Sequence, residues 1–219
     1  MLSKTTPTVN QMTADYTNMI AVSWRHLFQD TPDPAQAFLS QIRFLAGLSQ
    51  PPKALVLREK DMTEGAYLRL AEEVRDILEA SSVSLILHQF TDAARALRVK
   101  KIHLPLAQLE ALFRETPSFH ADFELVGTSV HSVQDALLAE ACGADYCFAG
   151  NIYETACKAG LPGRGLAFLR ETTSAVHIPV YAIGGISLAK MPEILAAGAA
   201  GGCMMSGFMR LNSGHGNTD

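Results

Sequence analysis

Eight short, almost wholly apolar runs recur along this chain, each followed by a stretch of helix length or a short turn. The runs are MIAVS (19–23), ALVLR (54–58), VSLILH (83–88), IHL (102–104), ELVGT (124–128), DYCFAG (145–150), PVYAIG (179–184) and GCMMS (202–206). A strand with one wet face alternates polar and apolar residues, whereas a strand covered on both faces does not. Most of these runs do not alternate, so they read as parallel strands lying under helices. In YLRLAEEVRDILEA, Leu70, Val74, Ile77 and Leu78 share one helical face, and Arg69, Glu72, Glu73, Arg75 and Asp76 point away from it. SVQDALLAEACGA opens on Ser132, an N-cap residue, and closes on Gly143, suited to the position after a helix. Eight such repeats point to the α/β class and a (β/α)8 TIM barrel. An open doubly wound sheet would give the same alternation, but the count of eight and the glycine-bearing turns after strands 7 and 8 favour closure.

The 219 residues fit a single domain, with no Pro/Ser/Gly-rich linker and no fixed-period repeat; about 1–16 and 211–219 read as loose tails. With 48% hydrophobic residues the chain can bury a core without covalent staples. A net charge of -4, with no run of like charges, argues against nucleic acid as a partner. The first residues lack a signal-peptide pattern and no run is long enough to span a membrane. Cys142, Cys147, Cys157 and Cys203 form neither CxxC pairs nor zinc spacings with histidine, so they read as reduced thiols of a cytoplasmic protein with no structural metal.

In such a barrel the active site lies at the carboxyl ends of the strands, and a phosphate is frequently held after strands 7 and 8. Gly184-Gly185 and Ser206-Gly207 stand there and remove side chains where backbone N–H groups could face a dianion. Tight left-handed turns alone would also ask for glycine; two turns at neighbouring strand ends favour the phosphate. Arg58 and Lys60 follow strand 2, His88 ends strand 3, and Ser129 and His131 follow strand 5. His103, inside KIHLP, reads as a hydrogen-bonded packing residue. The long loop NIYETACKAGLPGRG after strand 6 carries Thr155, Lys158 and Arg164 and has the length of a substrate cover. His131, in a Ser/Thr-rich turn, is a candidate general base, since imidazole suits proton transfer at neutral pH.

LREKDM, IHLP, GTSVHS, GADYCFAGNIYETACKAGLPGRGL, IPVYAIGGIS and GGCMMSG together resemble the thiamine phosphate synthase/TenI superfamily over about residues 19–209, and within it the thiazole tautomerase TenI more than the synthase. The resemblance implies that Gly184, Gly185, Ser206 and Gly207 hold a thiazole phosphate. It also implies that Arg58, Lys60, Thr155 and Lys158 contact the substrate, with His88 and Ser129 at the same mouth. His131 matches the histidine implicated in proton transfer. The synthase implies Mg²⁺ held by an Asn-Asp pair after strand 3 and a further Asp after strand 4; here His88 and Gln89 take the first place and HLPLAQLE supplies no aspartate. Asn151 stands where the tautomerase has a histidine. The implied activity is isomerisation of a non-aromatic thiazole carboxylate phosphate to its aromatic tautomer, with no cofactor. A thiamine phosphate synthase or a non-catalytic thiazole-phosphate-binding regulator is the alternative. The partner is a small molecule, and a homo-oligomer is left open.

Overall fold

The computed structural model describes residues 13–155, 160 and 162–212. Eight parallel strands close a barrel in chain order: β1 Met19–Val22, β2 Ala54–Leu57, β3 Ser84–His88, β4 Lys101–Pro105, β5 Leu125–Val130, β6 Tyr146–Gly150, β7 Val180–Ile183 and β8 Gly201–Met204. Among the described residues eight α-helices follow them: α1 Pro34–Ala46, α2 Glu64–Leu78, α3 Thr91–Ala96, α4 Leu106–Glu115, α5 Val133–Ala141, α6 Gly165–Ala175, α7 Met191–Ala196 and α8 Ser206–Met209. The expected (β/α)8 architecture is the observed one. No helix among the described residues is long and apolar enough to cross a membrane.

The chain groups into two compact units, one holding residues up to Leu85 together with those from Met205 on, the other Ile86–Met204. In the first, Asp33 caps α1 by accepting from the Gln36 N–H at 3.0 Å, with Pro34 at the first helical position. Thr63 caps α2, whose buried stripe is Tyr67, Ala71, Val74 and Leu78. Leu70 and Ile77, expected on that stripe, flank it half-buried. Tyr67 keeps its hydroxyl satisfied by donating to the Leu57 carbonyl at 2.6 Å.

In the second unit β4, β5, β6, β7 and β8 pair in parallel one after another. Two strand ends differ from the sequence expectation by two residues. β5 runs on to Val130 because Ser129 still pairs with Pro105 on one side and Phe148 on the other, so ladder bonds override the turn tendency of Ser and Thr. β8 stops at Met204, and Ser206 and Gly207 open α8 instead of making a left-handed glycine turn. Ser132 and Gly143 do as expected: Ser132 Oγ accepts from the Asp135 N–H at 3.0 Å, and Gly143 follows the helix with φ 78°.

Candidate active site

His131 follows the last residue of β5, and two contacts fix it. Its Nδ1 lies 2.8 Å from the carbonyl oxygen of Gly150, the last residue of β6. A carbonyl only accepts, so in the neutral ring Nδ1 carries the proton and Nε2 is left basic. The His131 N–H donates to Asp135 Oδ2 at 2.8 Å, and Asp135 is itself gripped by the Ser132 cap. This reciprocal arrangement is a variant of the capping box, reaching back one residue further than usual. An exposed imidazole held by its backbone and by Nδ1 is equipped to take a proton at Nε2.

Gly184 and Gly185 follow β7 with φ of 98° and 64°, a conformation that favours glycine. The close approach that their missing side chains permit is made by the chain itself. A Cβ on Gly184 would lie 2.5 Å from Asn151 Cβ, and one on Gly185 would lie 2.7 Å from both Glu154 O and Tyr153 Cβ. Three carbonyls of the turn are engaged: Ile183 O by the Ile152 N–H at 2.9 Å, Gly184 O by the Tyr153 N–H at 3.0 Å, and Gly185 O by Lys190 Nζ at 2.7 Å. Lys190 Nζ also stands 4.2 Å from the centroid of the Tyr153 ring, a cation–π contact. Tyr153 Oη donates to Glu193 Oε1 at 2.5 Å, and burial together with that bond pushes its pKa up to about 12. The buried Asn151 donates from Nδ2 to the Tyr153 carbonyl at 3.3 Å, so the residue that departs from the tautomerase pattern braces this loop. The base of the loop is closed where the Arg164 and Gly165 N–H groups meet the Asn151 and Ile152 carbonyls, both at 2.9 Å. Thr155 is half-buried on it; Lys158 lies outside the described residues.

His88 is only 4% exposed and stacks on His103 with ring centroids 5.9 Å apart. It belongs to the packed interior rather than to an open rim. Ser129 is half-buried within β5, with Oγ 2.8 Å from His103 Nε2.

In the first unit, Arg58 follows β2 half-buried and Lys60 is exposed. The Arg58 N–H donates to Ser23 Oγ at 2.8 Å, and Ser23 Oγ donates on to Glu59 Oε1 at 2.6 Å. Glu59, 2% exposed, also accepts the Arg25 N–H at 3.1 Å. Burial raises its pKa from the ordinary glutamate value, while the Ser23 and Arg25 contacts act to lower it. Asp61 pairs with the Arg25 guanidinium and lies 3.2 Å from His26 Nε2.

The sequence did not single out Glu59 or Asp135. Asp135 was open to discovery through its spacing of three from Ser132. Nothing within the charged quartet 58–61 marks Glu59 as its buried member.

Residues 30–208 match the model of the TMP-TENI family, described as thiamine monophosphate synthase. The chain belongs to this family. TMP-TENI members are enzymes of thiamine biosynthesis. The chain is 37% identical over 153 residues to a thiamine-phosphate synthase of Methanocella arvoryzae, covering 68% of this chain and 70% of that one. It is 33% identical over 165 residues to a thiamine-phosphate synthase of Methanospirillum hungatei, covering 73% and 77%. Its fold is shared with a thiamine phosphate pyrophosphorylase from Pyrococcus furiosus, at a TM-score of 0.68 and 24% identity over 91% of this chain and 88% of that one. The names of these TMP-TENI relatives side with the synthase rather than the tautomerase that the motifs resemble.

The Mg²⁺ that the synthase resemblance implies does not suit the donors present. β3 ends in the imidazole of His88, and Gln89 follows in the left-handed region at φ 56°. The Gln89 carbonyl accepts from Gln108 Nε2 at 2.8 Å, tying the end of β3 to the first turn of α4. An imidazole and neutral amides therefore stand where Mg²⁺ asks for hard anionic oxygens. Among the described residues no group of three or more His, Cys, Asp or Glu is placed to hold a metal.

Proposed function

We propose that the protein is a metal-independent thiazole tautomerase, an isomerase acting on a thiazole carboxylate phosphate. The observation that carries this reading is the 2.8 Å bond from His131 Nδ1 to the Gly150 carbonyl, which leaves Nε2 as a base. In this reading Nε2 takes the proton from ring C2 of the non-aromatic substrate. The electrons of that C–H bond form the ring double bond, and the exocyclic double bond accepts a proton at its terminal carbon from the same imidazolium. The ring becomes aromatic with no net gain or loss of protons or electrons. A positioned base of this kind contributes about 10²–10⁴-fold.

Arg58 and Lys60 are assigned to the carboxylate, where a cation stabilises the charge that develops as the proton leaves. The phosphate is assigned to the N–H groups of Gly184–Gly185, whose carbonyls are already engaged, and to those of Ser206–Gly207. Thr155 and Lys158 are assigned to the substrate from the loop after β6, and Ser129 to the wall of the pocket, with His88 packed behind it against His103. The neutral groups at the end of β3 and in the first turn of α4 support chemistry without a metal.

The names of the relatives favour a second reading, a thiamine phosphate synthase joining a pyrimidine pyrophosphate to a thiazole phosphate. One experiment separates the two. The purified protein is offered the non-aromatic thiazole tautomer with EDTA and, separately, pyrimidine pyrophosphate and thiazole phosphate with Mg²⁺. The tautomerase reading expects aromatisation in the first tube and no thiamine phosphate in the second; the reverse result overturns it.

A further inference from the structure

We propose that Tyr146 and His103 form a buried positioning relay that holds the Ser129 hydroxyl as a hydrogen-bond donor toward an anionic oxygen of the ligand. The relay runs across three strands: Tyr146 Oη on β6 is 3.1 Å from His103 Nδ1 on β4, and His103 Nε2 is 2.8 Å from Ser129 Oγ on β5. His103, Gly127 and Tyr146 are register partners across the three strands, so the relay lies on one face of the sheet. Tyr146 reaches over β5 because the residue it pairs with there is Gly127. A Cβ on Gly127 would come within 2.0 Å of Tyr146 Cζ, so the phenol ring takes the place of a β5 side chain. Phe148, with its ring centroid 4.3 Å from that of His103, packs against the imidazole from β6.

The direction of the relay follows from the proton count. Burial holds the Tyr146 hydroxyl well above its ordinary pKa, so it is neutral and carries one proton. A buried hydroxyl proton requires an acceptor. Among the described residues the hydrogen-bond partner of Tyr146 Oη is His103 Nδ1. Tyr146 therefore donates, Nδ1 is the unprotonated nitrogen, and the single proton of the neutral ring lies on Nε2. Nε2–H donates to Ser129 Oγ, which occupies an oxygen lone pair and turns the hydroxyl's own proton away from the core. Ser129 is the half-buried member of the three, and His103 and Tyr146 are the buried ones. The oriented donor suits a carboxylate or phosphate oxygen. His103 and Tyr146 act through Ser129 and are positioning residues.

The ligand half of this proposal rests on the tautomerase reading, whereas the tautomer half does not. Long-range ¹H–¹⁵N NMR of the full chain without ligand reads which His103 nitrogen carries the proton. The relay expects the Nε2–H tautomer in the wild type and its loss in Tyr146→Phe. A wild-type His103 protonated on Nδ1, or on both nitrogens, overturns the relay whether or not the variant folds. In the second arm, calorimetry measures binding of the aromatic thiazole carboxylate phosphate. Ser129→Ala and Tyr146→Phe should each weaken it by about tenfold, the size of one hydrogen bond to a charged group, and the double variant by no more than either alone. Binding that is unchanged in both single variants overturns the positioning role. If the wild type does not bind that compound, the tautomerase reading falls and the tautomer measurement still decides the relay.

Discussion

His131 Nδ1 and the carbonyl oxygen of Gly150, 2.8 Å apart, join the end of β5 to the end of β6 through a bond in which only the histidine can donate. His131→Asn retains a donor of similar reach and removes the base. Turnover of the non-aromatic tautomer should fall by about two orders of magnitude while affinity for the aromatic product stays near that of the wild type. Steady-state kinetics with parallel calorimetry checks both halves. His88→Asn should cost less turnover, and His103→Asn should show chiefly as weakened binding.

Ser132 and Asp135 hold the backbone on which that histidine rides. Ser132→Ala removes the cap and should lower stability to urea by about 1 kcal/mol. A drop in turnover beyond that of an equally destabilised variant elsewhere would mark the cap as part of how His131 is aimed.

Gly185→Val is expected to unsettle the fold as well as any ligand. The added Cβ would press within 2.7 Å of Glu154 O and Tyr153 Cβ at a backbone φ of 64°. A loss of about 1–3 kcal/mol in urea unfolding is expected from the left-handed conformation alone. The variant should also separate the turn from the loop after β6, seen as faster amide exchange at Ile152 and Tyr153, whose N–H groups bond to the turn.

Glu59 gives a dependence on pH. Its folded pKa is raised by burial, so between the unfolded value near 4.5 and the higher folded value the native state binds more protons than the unfolded chain. The stability contributed by this carboxyl is full below that window and is lost as pH rises through it. Glu59→Gln carries no proton to lose. Denaturation at a series of pH values should show the stability of the variant, relative to wild type, improving as pH rises above 4.5. A constant difference across the series would show that Glu59 does not titrate in this way.

The barrel was legible because burial on both faces imposes continuous apolar runs, and eight of them with helical spacers leave little choice of architecture. The role of His131 as a base is what the family resemblance implies, whereas its place just past β5 was legible in the strand pattern. Its partner was not, because a backbone carbonyl 19 residues away leaves no mark in side-chain identity. Gly184 and Gly185 were read as room for a ligand; their neighbours Asn151, Tyr153 and Glu154 belong to a loop whose path no local pattern specifies. His103 looked like packing because its two partners, Tyr146 and Ser129, come from other strands and meet it only once register is set. Gly127 is the residue that gave the one sign of them, an interior strand glycine whose missing side chain leaves room for the Tyr146 ring.

The paired bonds from Arg164 to Asn151 and from Gly165 to Ile152 have a consequence for how this scaffold could change. They act as a drawstring, holding the end of β6 against the start of α6. Closing a loop twice as long costs only about 0.6 kcal/mol more. Chain added within the loop, past Tyr153 and Glu154 on the turn and short of Gly163, whose Cβ would press within 2.5 Å of the Ile152 carbonyl, therefore adds little to the cost of closing it. The middle of this loop is thus a cassette position, where chain can be inserted while the wall bearing His131 is left as it is.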